Sequence, residues 1–368
     1  MQRCVNVIGV GMSPFRTTGL GPDPTVLVSA TIRQALTDAS VSASNIATVH
    51  AVSRMMDGVT LQRALQRTGL AQTPLCHFPE GGADDSNLFA RACQAIALGQ
   101  AESILVLGVQ SAAATPVPDL VFERLGATAR AYMARYRARR ETFAMITVKA
   151  RQHAALNPLA AFTRALTLEQ VLDADTIAEP LTQPQFAWTS SGVAAVLLCS
   201  SEFARRHCSG PVVRIAAQAC ISPQQVTGPD QGSTFAGVDY DVNVAAALEL
   251  YEQAGRGPED VAVCELHDTS TVSELLLYEA LGFCPEGRGE KMVEDGDNTT
   301  GGNLVVNPSG GLLSLGQASA ASSLAQCIEL VHHLRGSAGR RQVADAQLAL
   351  QQQAGSDGTV TTTLYQRD

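Results

Sequence analysis

The chain has 368 residues, 45% hydrophobic and 17% charged, with a formal net charge of −9 and a pI near 5.3. That composition supports a large buried core and excludes general disorder. The acidic balance argues against non-specific binding of nucleic acid or anionic membrane, and no stretch of ~18 apolar residues is present to span a bilayer. The length suits two domains of ordinary size or one internal duplication.

The elements alternate from the start. "CVNVIGVG" (4–11) predicts a buried strand ended by glycines, and the opening "MQRCVNVIGVGMSPF" resembles a first strand better than a signal peptide. "DPTVLVSATIRQALTDAS" (23–40) carries apolar residues at helical spacing. Strand "ATVHAVSR" (47–54), helix "VTLQRALQRTGL" (59–70) and short strand "TPLCHF" (73–78) follow. Next come helix "SNLFARACQAIALG" (86–99) and the strong strand "SILVLGVQ" (103–110). Strands alternating with helices predict a mostly parallel sheet covered on both faces. Residues 114–190 interrupt the rhythm. Their first part, 114–165, has an amphipathic, arginine-rich helical pattern and reads as a helical insertion over the first half.

"VAAVLLCS" (193–200) returns to strand, and a second half repeats the plan. It runs strand "VVRIAAQAC" (212–220), helix "VNVAAALELYEQAG" (242–255), strand "VAVCELHD" (261–268) and helix "TVSELLLYEALGF" (271–283). It closes with helix "SLAQCIELVHHLRG" (323–336) and strands "DAQLALQQQAG" (345–355) and "GTVTTTLYQ" (358–366). The unit "LELYEQAGRGPEDVAVCELHD" parallels "IRQALTDASVSASNIATVHAV": helix, short polar loop, strand. Two similar α/β halves are expected, 1–210 with the insertion and 211–368.

Nine cysteines, several inside apolar runs, read as reduced and buried thiols of a cytoplasmic protein. No cysteine or histidine cluster has zinc spacing, and the adjacent His332 and His333 read as a solvated surface pair. "GVGMSPF" lacks the third glycine of a dinucleotide fingerprint, so neither a metal nor a redox cofactor is inferred.

Two long motifs, "CELHDTSTVSELLLYEALGFCPEG" (264–287) and "DGDNTTGGNLVVNPSGGLLSLGQ" (295–317), resemble the thiolase superfamily, and within it the sterol-carrier-protein, or lipid-transfer-protein, thiolases. The resemblance runs from Val5 to about Tyr365 and is densest from Tyr251 to Arg341. It implies two topologically similar halves in a five-layer α/β/α/β/α stack, and a homodimer or a heteromer with another thiolase-like subunit. The family's chemistry places a cysteine at a buried helix N-terminus, where the positive helix end favours the thiolate that accepts an acyl group from a coenzyme A thioester. A histidine in a "GHP" loop takes the proton, and an "HDCF"-type histidine helps to build an oxyanion hole.

Against that pattern, the nucleophile position falls at Gly82, in the turn "HFPEGGADDSN" (77–87). The "GHP" histidine is Gln317, the "HDCF" cysteine is Thr269, and the final loop "QAGSDG" (353–358) has no cysteine. His267 remains, with the glycine framework Gly301, Gly302, Gly310, Gly311 and Gly316, of which the last three join the ligand-binding set. The losses fit together: without a thiol, a base has nothing to deprotonate. Asp84 and Asp85 sit where carboxylates favour a helix N-terminus, as caps or with one of them as an acid/base. His77 reads either as a pocket residue or as a structural strand-end histidine.

Three functions compete. The first is a coenzyme A-ester-binding member that cleaves carbon–carbon bonds by retro-aldol chemistry, as cysteine-less relatives do with a small OB-domain partner. Retro-aldol cleavage needs a base and enolate stabilisation but no acyl enzyme, and His267, His77, Asp84 and Asp85 are the groups to supply them. The tyrosines of those aldolases have no match in "SLGQASAAS". The second is a non-catalytic partner or scaffold subunit, with Phe78, Phe89 and Leu315 as the side chains to fill its pocket. The third is a true thiolase or acyltransferase with a displaced nucleophile such as Cys76. For the coenzyme A phosphates, the basic segment 130–151 offers Arg135, Arg137, Arg139, Arg140 and Lys149.

Overall fold

The computed structural model describes residues 3–21, 23–54, 56–78, 87–111, 118–208, 210–226, 235 and 238–367. The chain begins β1 (Val5–Met12), α1 (Pro24–Asp38), β2 (Thr48–Arg54), α2 (Gly58–Arg67), β3 (Leu75–Phe78), α3 (Leu88–Ala97) and β4 (Ser103–Gln110). The insertion follows as α4 (Asp119–Tyr136), α5 (Arg140–Ala154), α6 (Leu168–Leu172) and a small hairpin of β5 (Thr176–Ala178) and β6 (Leu181–Thr182). β7 (Gly192–Ser200) and α7 (Ser201–His207) complete the first half. The second contains β8 (Val213–Ile221), α8 (Pro223–Val226), α9 (Tyr240–Ala254), β9 (Val263–Glu265), α10 (Thr271–Ala280), α11 (Gly289–Glu294) and β10 (Val305–Val306). It ends with α12 (Gly311–Ser314), α13 (Ser319–Arg335), β11 (Leu348–Ala354) and β12 (Val360–Arg367).

The duplication is visible in the strand order. The first half runs β3-β2-β4-β7-β1 and the second β10-β9-β11-β12-β8. With strands counted within each half, both read third, second, fourth, fifth, first. Directions repeat too: β3, β2 and β4 are mutually parallel, as are β10, β9 and β11. The fifth strand of each half, β7 or β12, runs antiparallel to both its neighbours, so the first strand, β1 or β8, points the same way as the other three. A two-residue antiparallel contact, Asn6 to Arg214 and Val7 to Val213, joins the halves through their first strands. Each half is therefore mostly parallel, as expected, with one reversed strand that the sequence did not mark. Hydrophobic periodicity marks which residues are strands and which face is buried; it carries no sign for direction.

Helix packing gives the five layers. α1 lies on β1 and β7 and supports α2. α13 touches β4, β7 and β1 of one half and β11, β9 and β12 of the other, so it lies in a central layer, with α3 beside β4 and β7. α9 covers β8 and β12, with α10 against it. A helix between two sheets is buried all round, and α13 buries fourteen of its seventeen residues, polar ones included. This corrects the expectation for His333: it is 1% exposed, accepts a hydrogen bond from the Val343 amide at Nδ1 (3.1 Å), and lies 3.3 Å from the buried Glu329 carboxylate.

The main helices of the insertion pack against the second half, not the first. α4 and α5 lie on α10, and α5 also on α11 and α12. Tyr132, Phe143 and Ile146 share a core with Leu275, Leu276 and Tyr278. Ion pairs trim this seam: Arg135 with Glu286 at 2.7 Å, and Arg139 with Glu290 and Glu294. Exposed pairs of this kind are each worth about 1 kcal/mol or less. Lys149 is different. It is 5% exposed and bonded to the fully buried Glu274 carboxylate, so its ammonium is part of the core and unavailable to a phosphate in solvent. Tyr278 donates to the same carboxylate, and Asn307 donates to its second oxygen at 2.9 Å.

Removing one member of a buried pair strands the other charge, at about 3–5 kcal/mol. Lys149→Met is therefore expected to lower unfolding free energy in urea by about that amount. The double variant Lys149→Met/Glu274→Leu is expected to recover most of it. A loss below about 1 kcal/mol for the single variant would place Lys149 at the surface instead.

Candidate active site

β9 is short because the chain turns sharply after Glu265: the amides of Asp268 and Thr269 donate to the carbonyls of Leu266 and His267. Two side chains hold this turn. Asn307 accepts from the Leu266 amide at 2.7 Å, and Gln352 of β11 accepts from the His267 amide at 3.0 Å. Gln352 in turn donates to Asn243 of α9 at 2.8 Å, and Asn243 donates to the carbonyls of Val238 and Asp239. The buried Asp268 accepts from the amides of Leu312 (2.7 Å) and Leu313 (3.3 Å), anchoring the start of α12. Its carboxyl is pushed up, first by burial and then by the neighbouring Glu274.

The glycines before α13 serve this packing. At Gly311, φ is +60° and a Cβ would lie 2.2 Å from the Asp268 carboxylate. Only glycine lets the loop approach Asp268 in that conformation. Gly310 and Gly316 face Ala154 and Ser190 in the same way, at 2.7 and 2.6 Å. The space these three glycines leave is filled by the protein itself, and none of the three is among the described residues lining the cavity.

Beside the turn lies a cavity of 310 Å³, and it brings His267, Thr269 and Gln317 together. Gln317 enters it from the loop before α13, pinned by its amide to the Trp188 carbonyl and by its carbonyl to the Ser190 amide. Thr269 and Ser273 hydroxyls lie 3.2 Å apart on the same wall. Arg54, Asp239, Asn243 and Gln352 also line the cavity, and sequence reasoning did not select them. A signal was available for two. Arg54 ends β2, and in α/β sheets ligands gather at the carboxyl ends of parallel strands. Gln352 sits within "QQQ" in a strand whose neighbours are buried, and buried amides need partners.

His267 is half-buried. Its Nδ1 is sealed from solvent with no hydrogen-bond partner among the described residues, and burial lowers its pKa to about 4. The imidazole is thus neutral at pH 7. An orphaned buried acceptor is commoner than an orphaned N–H, so the proton belongs on Nε2, as a donor.

Other expected residues lie elsewhere. His77 is exposed on edge strand β3, with Nε2 2.9 Å from the Ser53 hydroxyl, and is not among the described cavity residues. Cys76 beside it is exposed too, and none of the described cavity residues is a cysteine. Gly82, Asp84 and Asp85 lie outside the described residues. Phe89 and Leu315 are packed in the core and Phe78 lies under the Arg91 guanidinium; none of the three fills the cavity. Arg137 and Arg140 are exposed.

The halves, the central helices and the cavity at the strand ends define a thiolase-type α/β protein, and comparison with known proteins agrees. The thiolase C-terminal domain-like family model matches residues 238–365. Bovine sterol carrier protein 2 is 35% identical over 400 aligned residues, which span 99% of this chain and 72% of that protein. The benzoylsuccinyl-CoA thiolase subunit BbsB of Thauera aromatica is 32% identical, covering 91% of this chain and 90% of its own. Among solved structures, an Ltp2-ChsH2(DUF35) aldolase superposes with a TM-score of 0.84 at 24% identity, over 100% of this chain and 98% of the other. The chain belongs to the thiolase superfamily, in its sterol-carrier-protein branch. No helix among the described residues is long and apolar enough to cross a membrane.

Because the folded His267 pKa lies below the unfolded value, its neutral form stabilises the fold above pH 6.5, and that contribution is lost as pH falls towards 4. His153, buried and also lowered to about 4, acts in the same sense. Imidazole NMR is expected to show both rings neutral at pH 7 and titrating well below pH 6. A His267 midpoint near 6.5 would contradict the burial described above.

Proposed function

We propose that this chain binds a coenzyme A thioester in the His267 cavity and cleaves a carbon–carbon bond of the acyl group by retro-aldol chemistry, without a covalent acyl enzyme, as part of a complex. The observation that carries this reading is the cavity. His267, Thr269 and Gln317 occupy positions where the resembled family keeps catalytic groups, yet they line an open, polar space. A scaffold subunit has no need to hold three loops apart around a neutral imidazole; the aromatic and aliphatic side chains nearby would fill the space at a gain in burial. A thiolase needs a thiol, and the described lining has none.

Neutral His267 suits an enolate reaction. An Nε2–H donor placed in a partly dry site stabilises negative charge developing on the thioester oxygen, and neutral donors do so without a counter-charge to desolvate. Gln317 adds a second amide donor. The coenzyme A phosphates are assigned to the exposed Arg137 and Arg140, with Arg135 and Arg139 held nearby by their glutamates. Support for a partner comes from the relatives: one is a thiolase subunit by name, and one solved neighbour is an aldolase complexed with a DUF35 protein. A homodimer or a heteromer with a second thiolase-like chain, alone or with a small OB-domain protein, fits this reading.

Calorimetric titration with acetyl-CoA and with a bulky acyl-CoA tests it. Wild type is expected to bind, and His267→Ala to bind about 5- to 10-fold more weakly, the worth of one hydrogen bond. No binding by either protein, alone or with its partner, would overturn the proposal and favour the scaffold.

A further inference from the structure

Among the described residues, two titratable side chains that can exchange protons near pH 7 or below border the cavity: His267, whose chemistry is that of a donor, and Asp239. Asp239 precedes α9 in a left-handed conformation, φ +49° and ψ +46°, which non-glycine residues seldom adopt. It stands at the N-cap position, yet its side chain makes no capping hydrogen bond to the helix. Its carboxylate is turned towards the 355–358 loop instead, so that a Cβ on Gly358 would lie 3.5 Å from Oδ2. Outliers of this kind persist where the surroundings over-determine them, and they gather at functional sites.

The surroundings here are explicit. The Asp239 carbonyl accepts from the amides of Val242 and Asn243 and from the Asn243 side chain. Asn243 is held by Gln352, and Gln352 holds the backbone of His267. One chain of amides thus sets the Asp239 backbone and the His267 backbone against each other across the same cavity.

We propose that Asp239 is the proton-transferring residue of this site, acting on a β-hydroxyacyl thioester of coenzyme A. The assignment rests on the retro-aldol reading above. The Asp239 carboxylate removes the proton from the β-hydroxyl. The bond between the α- and β-carbons breaks as the β-carbon oxygen becomes a carbonyl, and its electron pair passes into the thioester as an enolate. The Nε2–H of His267 donates to the enolate oxygen. The new carboxylic acid of Asp239 returns its proton to the α-carbon, leaving a ketone or aldehyde and a shortened acyl-CoA. Atoms and electrons balance with no oxidant, reductant or metal.

Burial raises the Asp239 pKa, opposed by the charge of Arg124 on α4. Among the described residues, Arg54 at the end of β2 and His267 after β9 border the same cavity, Asp357 lies in the β11–β12 loop and Asp241 on its own helix. A base with a raised pKa gives kcat/KM an acid limb lying above the ordinary carboxylate range.

The test uses 3-hydroxy-3-methylbutyryl-CoA, which would split to acetone and acetyl-CoA, and acetyl-CoA in D2O, whose methyl deuterium uptake reports the α-carbon step alone. Asp239→Asn keeps the shape and tolerates the left-handed backbone. It is expected to lose about 10²- to 10⁴-fold in both assays while binding acetyl-CoA as wild type does, and to lose the acid limb. Asp239→Asn with wild-type rates and an unchanged pH profile would overturn this assignment and leave the function standing. Wild type that binds thioesters but neither cleaves nor exchanges would overturn both the retro-aldol reading and this one. Wild type that binds nothing would overturn the thioester site itself.

Discussion

Glu274 is fully buried in α10, and its carboxylate takes a proton donor from each surrounding layer: Lys149 from the insertion, Tyr278 from its own helix and Asn307 from the loop after β10. An ionised carboxylate so deep survives only when paired and hydrogen-bonded on all sides. Asn307 passes that constraint on. Its side-chain oxygen fixes the Leu266 amide, one residue before His267. The insertion, the second half and the site turn are therefore locked by one cluster, and the placement of His267 depends on it.

Around that point the duplication sets the site. The carboxyl ends of β2 from one half and of β9 and β11 from the other converge on a single cavity, with the start of α13 and the start of α9 at its rim. Neither half could build it alone. Polar side chains outnumber apolar ones on its wall, and they are tied to one another by Gln352 and Asn243, so that space and orientation are maintained in the absence of ligand. That is the property expected of a site whose catalysis relies on preorganised donors.

Much of this was legible in the sequence, for physical reasons. Helix and strand periods located the main elements, and the paired units "IRQALTDASVSASNIATVHAV" and "LELYEQAGRGPEDVAVCELHD" do form the same helix, 3₁₀ turn and strand, with turns at Ala43–Asn45 and Pro258–Asp260. The motif at 264–287 pointed to His267. What failed were statements about relations between elements. An amphipathic stripe says that α4 and α5 bury a face, not which half receives it. Alternation does not reveal which single strand of each half is reversed. His333 looked solvated because adjacent polar residues usually are, whereas a central helix must bury them and pair them. Lys149 lay in a basic run, and only the fold shows Glu274 waiting for it. Asp239 was not selected from the sequence, because a left-handed backbone leaves no sequence signal in an aspartate.

The central claim is that this thiolase-type cavity handles a coenzyme A ester without forming a covalent acyl enzyme. Four of the nine cysteines are buried and three exposed, and all nine are free thiols. Intact-mass measurement of the native protein, after incubation with a bound acyl-CoA, reads the claim directly. The unmodified mass is predicted, with thioester still intact or cleaved between its α- and β-carbons. A stoichiometric acyl adduct that free coenzyme A removes would contradict it, because that is the signature of a nucleophile placed as in a thiolase.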